Sequence, residues 1–377
     1  MSGSEKILMI SSEFPPGPGG IGNHGYNLAN NLKRNNKVVK VLTMSDYVEK
    51  KAEEEFDKKV NFEIVRFKRY PSRLKTYKER IDIIKDTIRN ESFTDVIFSG
   101  RFPLLISNLI KRDRNKLKFT AIAHGAEINS DNFIEKKFID RALSNMDLII
   151  PVSNYTKSKL SPSLDKNKIT VIPNGFDMEN ISEIKINKSR ELSDNLNLIT
   201  VGTIWPRKGH HNVLNAFGEI LKRNKNLKYN IAGRSADLSL VQKYFDDKKI
   251  SGNLNVMGQV TNEELYNALN GSDIFIMLSE LQSSGDFEGF GIAVIEANYF
   301  GLPAIGSKNS GLEDAINNGM SGILVDPHDP LEISDAIETI KENYSEYSNG
   351  AREWAREHHW SKIVLRYIKA IDNIKRN

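Results

Sequence analysis

Lys6-Ile7-Leu8-Met9-Ile10-Ser11-Ser12-Glu13-Phe14-Pro15-Pro16-Gly17-Pro18-Gly19-Gly20-Ile21-Gly22 decides the fold class of this 377-residue chain. Four consecutive apolar residues closed by serines have the length and bounds of a strand, and the segment from His24 to Leu32 continues as a helical pattern. A strand apolar on both faces belongs in a parallel sheet covered by helices on each side. The same unit recurs outward along the chain. In the first half, strand-like runs fall at 38–43, 62–67, 95–99, 118–123, 148–152 and 169–172. In the second half they fall at 196–202, 228–232, 254–257, 273–278 and 303–306, again with helix-length segments between them. The pattern restarts after Pro173-Asn174-Gly175, and the polar stretch 177–195, rich in Asn, Ser and Lys, reads as a linker. The expectation is two Rossmann-like, doubly wound parallel-sheet α/β domains. Ligands of such sheets lie beyond the strands' carboxyl ends, so two facing sheets would enclose an interdomain cleft, with the chemistry in loops that follow strands.

Bulk properties narrow the class. Hydrophobic residues make up 39% and charged residues 27%, ordinary values for a globular protein. No run approaches the roughly 20 apolar residues that span a bilayer, and the first residues lack a signal-peptide core. Cysteine is absent, which excludes disulfides and thiolate metal sites. A cytoplasmic protein fits these features. The net charge of +4 is uneven: residues 1–174 carry 31 Lys and Arg against 21 Asp and Glu, and residues 175–377 carry 22 against 28. A basic first half suits an anionic partner, although an unevenly charged solvated surface gives the same count.

Gly17-Pro18-Gly19-Gly20-Ile21-Gly22 satisfies G-x-G-x-x-G, and Asp46 follows the second strand, so a dinucleotide site competes here. That fingerprint needs its tight turn directly after the strand, whereas Pro15-Pro16 make an extended loop. A glycine loop whose backbone approaches a ligand's phosphate or sugar suits the residues better, with a plain surface loop as the bland alternative.

The most specific stretch is Asp286-Phe287-Glu288-Gly289-Phe290-Gly291-Ile292-Ala293-Val294-Ile295-Glu296-Ala297, which leaves a strand and enters a helix near Gly291. Gly289 and Gly291 can present amides to an anion at the helix's positive end. A carboxylate can accept from two adjacent hydroxyls, so Glu288 and Glu296 suit sugar diols on either side of a phosphate. Gly202-Thr203-Ile204-Trp205-Pro206-Arg207-Lys208-Gly209 places two cations at another strand exit, where they can neutralise a diphosphate without metal. No D-x-D triplet for Mn²⁺ or Mg²⁺ is present, and neither a metal nor another cofactor is expected. The adjacent His210 and His211 point about 100° apart on a helix and would not chelate one ion; one should be packed and one exposed.

With its Gly-Phe-Gly-Ile core, the pair Glu288 and Glu296 resembles the E-x7-E signature of family 4 retaining glycosyltransferases. The similarity extends through Gly19-Gly20-Ile21-Gly22, Ala123-His124-Gly125, Val152-Ser153-Asn154, Val171-Ile172-Pro173-Asn174-Gly175-Phe176-Asp177 and Gly258-Gln259-Val260. The resemblance implies a GT-B architecture. An acceptor-binding domain would comprise 1–178 with 361–377, and a nucleotide-sugar-binding domain 179–360. The last helix would return to the first domain, with Trp360 at the crossing. It further implies that Glu296 holds the nucleotide ribose, Glu288 the transferred sugar, and Arg207 and Lys208 the diphosphate. Gln259 and Val260 would meet the base and Gly289, Phe290 and Gly291 the donor. Gly20 and Gly22 would close over the diphosphate and sugar, and His124 would sit beside the sugar ring. Thr203 departs from the family, which commonly carries arginine there; Arg207 is the substitute at hand.

The implied reaction moves a sugar, with retention, from a UDP- or GDP-sugar to a glycan, lipid-linked or other hydroxyl acceptor. Competing readings are an epimerase or phosphorylase on the same fold, or a carbohydrate-binding scaffold without catalysis. In Arg66-Phe67-Lys68-Arg69-Tyr70-Pro71-Ser72-Arg73-Leu74-Lys75-Thr76-Tyr77-Lys78-Glu79-Arg80, seven cations interleave with aromatic and apolar residues. Lys111, Arg112, Arg114, Lys116 and Lys118 form a second run. Such runs suit a peripheral contact with an anionic membrane or a phosphate-bearing acceptor. No nucleic-acid-binding motif accompanies them, so no nucleic-acid partner is expected.

Overall fold

A computed structural model describes residues 5–45, 49–113, 115–125, 127–129, 132–177, 192, 195–235, 239, 241–242 and 251–374. Asp46, Arg114 and nearly all of the expected linker 177–195 lie outside the described residues. The chain divides into two units, Met1–Gly175 with Trp360–Asn377, and Phe176–His359.

The first unit carries β1 (Lys6–Ser11), β2 (Val38–Met44), β3 (Glu63–Phe67), β4 (Asp95–Ser99), β5 (Lys118–Ala123) and β6 (Leu148–Pro151). They form one sheet in the order β3-β2-β1-β4-β5-β6, and every pairing is parallel. Strand order reverses between β1 and β4, so the crevice for a ligand opens beyond Ser11 and Ser99. Helices Gly20–Arg34, Arg73–Asn90, Arg101–Ser107 and Phe133–Ser144 connect the strands. The core combines Leu8, Ile10, Val96 and Phe98 from the central strands with Ile84, Leu104 and Ile139 from those helices. The helix Trp360–Asp372 also belongs to this unit and buries Ile363, Val364 and Tyr367. It packs on Gly20–Arg34, with Tyr367 Oη 3.0 Å from His24 Nε2.

The second unit repeats the plan with β7 (Asn197–Val201), β8 (Lys228–Ala232), β9 (Leu254–Gly258), β10 (Ile274–Met277), β11 (Ala304–Ser307) and β12 (Gly322–Val325). Its order, β12-β11-β10-β7-β8-β9, is again all parallel and reverses between β7 and β10. Leu198, Ile231, Ile274, Ile276 and Ile305 meet Val213, Phe217, Ile333 and Ile337 from the flanking helices in its core.

Two expectations need correction. The run 169–172 is no strand: Ile169 forms one isolated bridge to Ile149, while Thr170 and Ile172 donate to Ile149 and Pro151. Pro151 has no N–H to return and Pro173 ends the run, so the ladder stops there. Conversely, β12 was not anticipated, because Gly322-Ile323-Leu324-Val325 is a short edge segment behind an Asn-Gly turn. A side chain at Gly322 would come within 2.0 Å of the Ala304 carbonyl, so glycine permits the close pairing with β11.

Candidate active site

The reversal between β7 and β10 brings two loops distant in sequence to one edge of the second sheet. From the β7 side, Gly202 adopts φ +147°, and a side chain there would lie 3.3 Å from Lys208 Cε. Glycine therefore lets the lysine stem pass along the loop. Lys208 Nζ donates to Glu288 Oε2 at 2.6 Å, and Arg207 Nη1 donates to the same oxygen at 2.6 Å. Arg207 Nε also reaches Asp286 Oδ2 at 3.1 Å. Glu288 is only 9% exposed. Burial alone would raise its pKa, but the charges of Lys208 and Arg207 outweigh burial and hold it at about 2.

Behind this loop, the Gly311 amide donates to the Glu288 carbonyl at 3.0 Å. Gly291 then turns the chain into helix Ile292–Tyr299 with φ +94°, and no side chain caps that helix. Glu296 sits on it, and burial pushes its pKa up to about 6 against the pull of Lys208. One carboxylate is thus firmly ionised between two cations and the other is held near its titration point. Phe290 is buried with its ring 5.8 Å from His358, so its side chain supports the loop from below. Gln259 is exposed and Val260 partly so, directly after β9 at the same sheet edge.

His210 is packed, with Nδ1 3.4 Å from Tyr229 Oη and Nε2 3.4 Å from the Thr203 carbonyl; burial lowers its pKa to about 4. His211 remains partly exposed, its Nε2 3.2 Å from Glu280 Oε1. Among the described residues, no group of three or more His, Cys, Asp or Glu side chains is placed to hold a metal ion.

In the first unit, Gly20 opens helix Gly20–Arg34, and a side chain there would meet nothing within 4 Å. Gly22 is buried, a side chain there would lie 3.1 Å from the Phe14 backbone N, and its amide donates to the Glu13 carboxyl. Gly22 thus seats the helix against the loop, while Gly20 faces open space. His124 follows β5, and its Nε2 lies 3.0 Å from Ser99 Oγ, with the His24 ring edge-on at 4.9 Å. Burial lowers the His124 pKa to about 4, so at neutral pH the ring is uncharged. Its backbone N–H donates to the Glu127 carboxylate.

Sequence reasoning missed Asp286, which anchors Arg207, and Glu127, two residues beyond the Ala123-His124-Gly125 motif. An acidic residue that close to a candidate site histidine was the available signal. The seven-cation run divides by direction. Arg66 turns inward, bonded to Asp57 at 2.8 Å and to the Pro15 carbonyl at 2.5 Å, and Arg80 and Phe67 are buried. Lys68, Arg69, Arg73, Lys75 and Lys78 stay exposed beside Leu74 and Tyr77. In the second run, Arg112 pairs with Asp147 and Lys118 is buried, leaving Lys111 and Lys116 exposed.

Two family models match the sequence: Glycosyl transferases group 1 over residues 182–358 and Glycosyltransferase Family 4 over residues 18–180. A relative in Mycolicibacterium smegmatis, a GDP-mannose-dependent alpha-(1-6)-phosphatidylinositol monomannoside mannosyltransferase, is 24% identical with 88% of each chain covered. A Corynebacterium glutamicum enzyme acting on the monoacylated form is 23% identical with 97% of each chain covered. Among solved structures, a glycosyltransferase from Rickettsia africae matches with a TM-score of 0.76 at 17% identity over 99% of both chains. The Anabaena protein HepE, solved with UDP and glucose, gives 0.73 at 16% identity over 98% of this chain and 99% of that one.

Proposed function

The chain belongs to glycosyltransferase family 4, with the GT-B fold and a nucleotide sugar as donor, and from that premise we propose a retaining, metal-independent sugar transfer to a hydroxyl acceptor. The observation that carries this reading is the convergence of Arg207 and Lys208 on Glu288 at the strand-order reversal of the second sheet. Two fixed cations there can take the charge that develops on a departing diphosphate, and preorganised donors of this kind each contribute a few kcal/mol to lowering the barrier. Glu288 then turns to the hydroxyls of the transferred sugar, and Glu296 to the ribose. Gly289, Phe290 and Gly291 shape the donor loop, and Gln259 and Val260 border the base.

The second unit is the donor domain, and the first, which carries Gly20, Gly22 and His124, is the acceptor domain. The acceptor attacks the anomeric carbon from the face the diphosphate leaves, its proton passing to the departing phosphate oxygen. No covalent sugar–enzyme intermediate forms. The donor is a UDP- or GDP-sugar and the acceptor a lipid-linked or glycan hydroxyl; the relatives named for GDP-mannose and phosphatidylinositol monomannoside support the GDP-sugar and the lipid-linked acceptor. The exposed cations from Lys68 to Lys78 support peripheral contact with an anionic membrane on its cytoplasmic side. Among the described residues, no helix is long and apolar enough to cross that membrane.

A thermal-shift screen across nucleoside diphosphates and their sugars tests the donor site, since a ligand selective for the folded state raises the melting temperature. Acceptor-dependent release of nucleoside diphosphate in the presence of EDTA, with NMR of the product anomer, tests transfer, metal independence and retention. Absence of stabilisation by every nucleotide rejects the donor site, and a trapped glycosyl-enzyme rejects same-face attack.

A further inference from the structure

Beyond Ser11 and Ser99, the first sheet opens into a pocket of about 690 Å³ contained within the first unit. Its wall is apolar: Met44, Tyr77, Ile81, Phe102, Leu105 and Leu109 line it. Helix Arg73–Asn90 supplies Tyr77 and Ile81, helix Arg101–Ser107 supplies Phe102 and Leu105, and the rings of Tyr77 and Phe102 lie 5.7 Å apart. Tyr77 and Leu109 remain 50% and 52% exposed, apolar surface that a monomer gains nothing by leaving in water. Of the three carboxylates on the lining, Glu135 lies 3.4 Å from Arg101 Nη1 through Oε2, and Glu13 takes the Gly22 amide.

Glu127 is the exception. Its side chain is buried to 2% exposure and lines this pocket. One oxygen accepts the His124 backbone N–H, while Oε2 is buried without a hydrogen-bond partner. A buried polar atom left unpaired costs free energy, and a ligand group that pairs with it recovers that cost. Apolar walls with a few convergent polar atoms are what small-molecule sites of roughly 300–1,000 Å³ present.

We propose that this pocket binds the acceptor as an amphiphile, its aliphatic chain along the Tyr77–Leu109 wall and a hydroxyl of its polar end on Glu127 Oε2. The assignment rests on the transferase reading and adds the acceptor's chemical class. Burial holds the Glu127 pKa at about 7, against the amides of His124, Glu127 and Gly125 and the charge of Arg101. A hydroxyl, which both donates and accepts, can pair with this carboxyl in either of its forms.

The full chain is titrated calorimetrically with methyl, hexyl and nonyl glucoside, each below its micelle concentration, at pH 8. Affinity is expected to rise about threefold or more per methylene added between hexyl and nonyl. Leu105→Trp, which fills the pocket, should abolish that rise. Leu109→Glu, at an exposed mouth position that does not threaten folding, should weaken nonyl glucoside and leave methyl glucoside unchanged. Glu127→Gln keeps an acceptor for the His124 amide and removes the charged one, so all three ligands should weaken about tenfold with the chain-length slope intact. Equal affinity for the three glucosides, or no effect of Glu127→Gln, overturns the proposal. Nucleoside diphosphate stabilisation is measured on the same samples. Its absence in the wild type refutes the donor reading, whereas its presence with a flat chain-length series refutes only the amphiphile.

Discussion

Lys208 Nζ and Glu288 Oε2 lie 2.6 Å apart, joining the loop that leaves β7 to the loop that leaves β10. Eighty residues of sequence separate them, and the strand-order reversal makes them neighbours. The acid and the two cations satisfy one another, which fixes positive charge in place at this strand exit. Lys208→Met is expected to lower kcat by 10²–10³-fold, as loss of one preorganised donor does elsewhere. The Lys208→Met, Glu288→Gln double variant should lose less than the product of the single losses, because the two residues act as one unit. Steady-state rates with a UDP- or GDP-sugar supply the comparison; strict multiplicativity would show that the ion pair has no part in the reaction.

Glu296 should impose a pH dependence on nucleotide binding. Its pKa is raised to about 6 by burial, so its ionised fraction grows between pH 5 and 7, and only the carboxylate accepts from both ribose hydroxyls. Nucleoside diphosphate affinity is expected to rise through that window and to stay level in Glu296→Gln. Ionisation of the phosphate itself occurs in the same range and is common to both proteins. Identical pH profiles for the two would remove Glu296 from the ribose contact.

His210 should contribute to acid lability. Its folded pKa, about 4, lies below the ordinary histidine value because burial disfavours the charged ring, assisted by Lys208 and His211. The unfolded chain therefore binds the proton first, and stability present above pH 6.5 is lost as pH falls toward 4, by roughly 3 kcal/mol for a shift of this size. Glu127 and Glu296, both raised by burial, act with the opposite sign below pH 7. They are present in both proteins, so the difference between wild type and His210→Gln isolates the histidine. Denaturant titrations from pH 7.5 to 4 should show the variant less stable at the start and less sensitive to acid.

Gly291→Ala tests the helix entry. The position has φ +94°, and a methyl there would lie 2.4 Å from Leu312 Cδ2. Strain and clash together are expected to cost about 2–4 kcal/mol. Adding Leu312→Ala relieves the clash but not the backbone strain, so recovery in urea melts should be partial. Full recovery would mean that the positive φ carries no penalty.

The alternation of strand and helix was legible because burial on both faces writes itself locally, as short apolar runs such as Ile7-Leu8-Met9-Ile10. The donor residues were legible for a related reason: Glu288, Gly291 and Glu296 occupy one contiguous stretch, and a strand exit is where such sheets bind ligands. The edge strand β12 was hidden, since a short segment with a glycine carries little periodicity of its own. Arg66 and Arg80 read as surface cations because sequence does not say which way a long side chain turns; Asp57, the Pro15 carbonyl and Met44 decide that.

Composition, periodicity and motif spacing by themselves determined two parallel α/β sheets and the kinds of side chain available for sugar-nucleotide chemistry. Only the tertiary structure decided that Arg207 and Lys208 share one oxygen of Glu288, and that Glu127 faces an apolar pocket with an unpaired oxygen. Periodicity is a property of neighbouring residues, whereas the field and solvation at a carboxylate are set by whatever the fold brings within a few ångströms of it.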